Sequence, residues 1–165
     1  MHTEFILIFI DYFSIQKKKV LLFEWIIPAI IGVLCLVLSF VFNIDKQYMI
    51  IEKSLGYIGS LLGFTMAALT LLISNNKIKD VSEYKVERVF HNREATLYDI
   101  VVASYTYLIV LEGILCISFF VAQLLNFLYF RNIAVILNSI YIVLLFNVLL
   151  VTIRIISDMY FILTK

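Results

Sequence analysis

The chain has 165 residues, 63% hydrophobic and 15% charged, with a formal net charge of +1, and its mean hydropathy is +1.02. A soluble domain of this length cannot hide so much apolar surface, and a charge near zero singles out no partner by bulk electrostatics. Four runs long enough to cross a bilayer, near 21–42, 48–74, 100–125 and 133–156, use most of the sequence. They leave no room for a separate soluble catalytic domain and predict an all-α membrane protein with four transmembrane helices, a single domain over 1–165.

In chain order, residues 1–19 come first as an N-terminal segment. The stretch EFILIFIDYFSIQ at 4–16 is apolar but too short to span, and Lys17, Lys18 and Lys19 follow it rather than precede it. That order, with no small-residue cleavage site, differs from a secretory signal and predicts an interfacial helix on the cytoplasmic leaflet. The first span carries Glu24, Trp25 and Pro28 near its start. Trp25 suits the aromatic belt at a membrane surface. Pro28, the only proline, removes a backbone hydrogen bond and predicts a kink. Glu24 and Arg154 lie near the same ends of their spans, where they either pair, fixing spans one and four side by side, or snorkel separately to the interface. The short Asn43–Lys46 connection predicts spans one and two as an adjacent antiparallel hairpin.

The second span, QYMIIEKSLGYIGSLLGFTMAALTLLIS, has the most distinctive pattern. Gly56, Gly59, Ser60 and Gly63 form a stripe of small residues, continued by Phe64, Thr65, Ala67, Thr70 and Ser74. Lipid is as apolar as another helix, so helices associate in a bilayer through close packing and hydrogen bonds, which small residues permit. The same stripe could line a pore, with Phe64 or Leu71 gating by dewetting. Packing surface and pore lining share these residues, and both readings stand at this point.

The segment 77–98, KIKDVSEYKVERVFHNREATLY, is charged and free of Gly and Pro. Asp80 followed by Glu83 has capping spacing, which predicts a cytoplasmic helical extension running into the third span. Five basic and five acidic residues between Lys77 and Asp99 suit a solvated, salt-bridged helix. Alternatively Lys77, Lys79, Lys85, Arg88 and Arg93, with Tyr84, Phe90 and His91, offer cations for phosphate and rings for stacking on a nucleotide.

The third span holds Glu112 and the fourth Asn138 and Asn147. Polar groups at membrane depth are expensive and point inward. Glu112 is expected either to hydrogen-bond Ser60, Thr65 or Asn147 within the bundle, to line or gate a pore, or to carry protons in transport. Ten of the thirteen basic residues fall at the N-terminus, in the second connection and at the C-terminus, so the positive-inside rule predicts a multi-pass cell-membrane protein with both termini cytoplasmic. No nucleotide-loop, serine-elbow or zinc-protease motif occurs, and the only histidines are His2 and His91. The expectation is a non-enzyme with no metal site and no cofactor; Cys35 and Cys116 read as apolar fillers.

The run GSLLGFTMAALTLLISNN, the charged segment after it and YDIVVASYTYLIVLEGIL together resemble small four-span bacterial membrane proteins of anti-phage defence operons, of the Hailong effector type and less closely the Kiwa membrane subunit. The likeness covers roughly 50–125. It implies a homo-oligomeric effector, a tetramer favoured, and for the Hailong type an ion channel controlled by a nucleotide or oligonucleotide from a partner nucleotidyltransferase. The leading expectation is thus an oligomeric channel that depolarises the membrane in abortive defence. The alternatives are a proton-coupled small-molecule transporter using a membrane carboxylate, and a non-conducting docking subunit.

Overall fold

The computed structural model describes residues 3–42, 48–74, 85–90, 93–124 and 131–163. In chain order these form α1 (Thr3–Ile15), α2 (Lys18–Val41), α3 (Tyr48–Ser74), strands β1 (Lys85–Phe90) and β2 (Arg93–Thr96), α4 (Leu97–Leu124) and α5 (Arg131–Leu163). Four helices, α2 to α5, are long and apolar enough to cross a membrane, as the hydropathy runs predict. The thirteen residues of α1 reach only about 20 Å at 1.5 Å per residue and cannot span.

Helices α4 and α5 pack on each other at the centre; α2 lies along α5 and α3 along α4. The expected pairing of spans one and two is therefore replaced: each takes a central helix as its main neighbour. The core follows the same division. Leu108, Leu115 and Phe119 of α4 and Val148, Val151 and Ile155 of α5 are buried, whereas α2 exposes most of its apolar side chains to the surroundings.

Gly32 accounts for the close seating of α2. A Cβ there would overlap Val143 Cγ2 and stand 3.2 Å from the Ser139 carbonyl oxygen. The close-approach glycine thus lies on α2, not in the glycine-rich stripe of α3. Around Gly56, Gly59 and Gly63 nothing comes within 4 Å of a Cβ position.

The expected helical extension over 77–98 needs correction. Of that stretch, 77–84 and 91–92, with Lys77, Lys79, Tyr84 and His91, lie outside the described residues, while Lys85–Phe90 and Arg93–Thr96 form an antiparallel pair of strands leading into α4. Lys85 pairs with Thr96, Val89 with Glu94 and Phe90 with Arg93, with a register shift between Lys85 and Val89. Two local causes oppose a continuous helix. Val86, Val89 and Phe90 favour extended backbone, and the two-residue separation of Phe90 and Arg93 is that of a tight hairpin. In addition, α4 has its own start signal. The Thr96 hydroxyl accepts from the Asp99 N–H at 3.2 Å, while Asp99 Oδ2 accepts from the Thr96 N–H at 2.9 Å. This reciprocal capping box opens the helix at Leu97.

Candidate functional site

Pro28 organises the most polar part of the interior. Having no N–H, it leaves the Glu24 carbonyl, four residues earlier, without its helical donor. Asn147 of α5 supplies one, its Nδ2 donating to that oxygen at 2.8 Å. The Tyr107 hydroxyl of α4 donates to Asn147 Oδ1 at 2.8 Å, so the amide is used at both ends. One carboxamide thereby joins three spans.

The Glu24 side chain extends this centre and is only 1% exposed. Its Oε2 accepts from the Tyr12 hydroxyl and its Oε1 from Arg154 Nε, each at 2.5 Å. Arg154 also donates through Nη2 to Ser104 Oγ at 3.2 Å and through Nη1 to Asp158 Oδ2 at 3.4 Å. Ser104 in turn accepts from Gln16 Nε2 at 3.0 Å. Charge-assisted bonds of this kind are the strong ones, and partners at both carboxylate oxygens offset burial of the charge. Tyr12 lies flat on Tyr107, ring centroids 3.8 Å apart and 7° from parallel. Burial, and then the carboxylate of Glu24, hold the Tyr12 phenol protonated well above its ordinary range.

Of the two readings of Glu24 and Arg154, direct pairing is the one found. The sequence did not single out Tyr12, Gln16, Ser104 or Tyr107, which complete the network. A tyrosine near the end of α1 and a glutamine four residues on, just past its last residue, were the available signal, since that spacing brings both to one side. The centre ties α1 to all of α2, α4 and α5 at one end of the bundle.

A second polar contact lies between α3 and α4. The Thr65 hydroxyl stands 2.7 Å from Glu112 Oε2, as donor to it, and Glu112 is 0% exposed. Among the three partners expected for Glu112, Thr65 is the one engaged. Asn147 serves Glu24 instead, and Ser60 Oγ donates to the Gly56 carbonyl of its own helix. Among the described residues Glu112 Oε1 and Asn138 Oδ1 have no hydrogen-bond partner.

The small-residue stripe faces away from its own chain. Gly56, Gly59, Ser60, Gly63, Phe64, Ala67, Thr70 and Ser74 are exposed, and of the predicted stripe only Thr65 is buried. The exposed hydroxyls satisfy themselves: Thr70 donates to the Met66 carbonyl and Ser74 to that of Leu71. Of the suggested ligand-binding residues, Lys85, Arg88 and Arg93 fall in the hairpin backbone; Lys77, Lys79, Tyr84 and His91 lie outside the described residues. Among the described residues no group of His, Cys, Asp and Glu could hold a metal. Compared with protein-family models, curated proteins and solved structures, the chain matches none.

The proline-asparagine pairing gives a direct prediction. Asn147→Leu orphans the Tyr107 hydroxyl and the Glu24 carbonyl together, and is expected to destabilise the chain by about 1–3 kcal/mol. Adding Pro28→Ala restores an N–H to that carbonyl, so the double variant should recover part of the loss. Denaturant titration of both proteins in mild detergent micelles tests this. A double variant no more stable than Asn147→Leu would show that the carbonyl is not the group at stake.

Proposed function

We propose that several copies of this chain, four being favoured, gather in a cell membrane with α3 turned toward a shared axis, and that the assembly conducts ions and depolarises the membrane. One observation carries this reading: α3 packs along α4 and leaves its line of glycine, alanine, serine and threonine open on the other side. A face that meets only lipid gains nothing from small, hydroxyl-bearing residues; a neighbouring helix or a water-filled path does. Glu112 and Thr65, behind that face, then serve as the polar tie that fixes α3 against the central pair.

The resemblance to Hailong-type effectors supports the trigger and the setting. A nucleotide or oligonucleotide made by a partner enzyme would act on segment 77–98 during anti-phage defence, with both termini in the cytoplasm. The distribution of basic residues supports that orientation.

Gly63→Leu is the test. The position is open within the chain, so the fold should be unchanged or gain about 1 kcal/mol of helix propensity. Assembly on native gels and depolarisation of expressing cells, read with a potential-sensitive dye, should both be lost. Glu112→Gln keeps an acceptor for Thr65 and should leave conduction intact; loss of a proton-dependent uptake instead would favour the transporter. An intact potential under activating conditions, or an unchanged oligomer in Gly63→Leu, would sink the channel reading.

A further inference from the structure

We infer that α1 and the three lysines after it form a docking surface for anionic phospholipid, which seats α1 in one leaflet. The surface has two parts. On its outer side α1 exposes Phe5, Ile6, Leu7, Ile10 and Phe13, each between 41% and 61%. On its inner side Tyr12 and Ile15 are buried against the bundle. A helix apolar on both sides is stable only where something apolar covers the outer one. At the C-terminal end of α1 stand Lys17, Lys18 and Lys19, all exposed.

The placement of these parts selects lipid as the occupant. Phe9 and Tyr12 meet Tyr107, Gln16 meets Ser104, and Ile15 joins Ala95 and Ile100. These partners lie within about 15 Å of the start of α4 at 1.5 Å per residue. The contacts advance in step, from Ile15 with Ile100 to Phe9 with Tyr107, so α1 lies beside the first turns of α4 and reaches no deeper than they do. Its lysines coincide with the first residues of α2, a spanning helix, and so with the depth at which that span leaves hydrocarbon for headgroups. They are also badly placed for their own chain. Cations at a helix N-terminus oppose the dipole, and the first turn of α2 holds no acidic residue and no side-chain cap. An anion from outside the chain resolves that conflict, and a phosphate at headgroup depth is the one that also brings acyl chains to the exposed face of α1. Apolar insertion and basic attraction together make the two signals that stable interfacial anchoring takes.

The test uses the full chain in nanodiscs of phosphatidylcholine alone or mixed equally with phosphatidylglycerol. Native mass spectrometry of protein released from the mixed discs should find phosphatidylglycerol retained in preference. Lys17→Gln, Lys18→Gln and Lys19→Gln should each weaken that preference about fivefold, whereas the three arginine replacements should keep it. In a Cys35→Ala, Cys116→Ala background, a nitroxide at Ile10→Cys should be reached by oxygen and shielded from an aqueous nickel chelate. Equal retention of both lipids, or an Ile10 label open to the chelate, would overturn the proposal. So would dipolar broadening between labels, which would mean that a second copy covers α1.

Discussion

Arg154→Leu is expected to destabilise the chain by about 3–5 kcal/mol, because it strands a buried carboxylate. The loss should be unequal for the two partners. Glu24 has a side chain only 2% exposed and is too short to reach water from its place in α2. Arg154 is 17% exposed, keeps Asp158 and Ser104 as acceptors, and has a long stem that can carry its charge outward. Glu24→Gln should therefore lose less, about 1–3 kcal/mol. The double variant Glu24→Gln, Arg154→Leu should be more stable than Arg154→Leu alone, since no fully buried carboxylate is left facing a lost cation. Trp25 is the only tryptophan and sits beside Glu24 in sequence, so its fluorescence reports local unfolding during a denaturing-detergent titration. Additive losses in the double variant, or equal losses in the singles, would mean that the pair is not the unit described.

Much of this arrangement was legible in the sequence, and the part that was not has a common cause. Span count follows from length and hydropathy alone, because every backbone group in lipid must be satisfied internally. Inward polar residues also announced themselves: Glu24, Arg154, Glu112 and Asn147 all proved buried or part-buried. Which polar group meets which was less accessible. Asn147 was a candidate for Glu112 and belongs instead to the carbonyl that Pro28 frees, a link visible only when the missing N–H is followed four residues back. The helix neighbours were hidden for a different reason. In water an apolar stripe marks the packed face, but in a bilayer both faces of a span are apolar, and periodicity no longer tells inside from outside. That is why four glycine or serine positions on α3 drew the eye as a seam within the chain, while Gly32, flanked by bulky residues on α2, did not. The hairpin is hidden by competing start signals: Thr96 and Asp99 form the capping box that opens α4, and Asp80 and Glu83, outside the described residues, have the same spacing in sequence.

Gly32→Ala is the sharpest test of this packing order, and its outcome should be the reverse of alanine at Gly59. On helix propensity alone both changes favour the folded span by about 1 kcal/mol. At Gly59 nothing opposes that gain within the chain, so the monomer should be unchanged or slightly stabilised. At Gly32 the new methyl meets Val143 and the Ser139 carbonyl. A side chain can rotate away, but a backbone oxygen moves only with its helix, so α2 must shift off α5. Overpacking of this kind is expected to outweigh propensity and leave a net loss of about 1–3 kcal/mol. The shift should also reach the polar centre, since the Asn147 bond to the Glu24 carbonyl crosses the same α2–α5 contact eight residues nearer the start of α2. Thermal unfolding in micelles measures the first effect and Trp25 emission the second. Val143→Ala removes the closer overlap and should recover part of the Gly32→Ala loss, the Ser139 carbonyl contact remaining, while doing nothing for a Gly59 variant. If Gly32→Ala were as stable as the parent chain, α2 would not be seated on α5 by close backbone approach. The bonds of Glu24 to Arg154 and Asn147 would then be what fixes the two helices together.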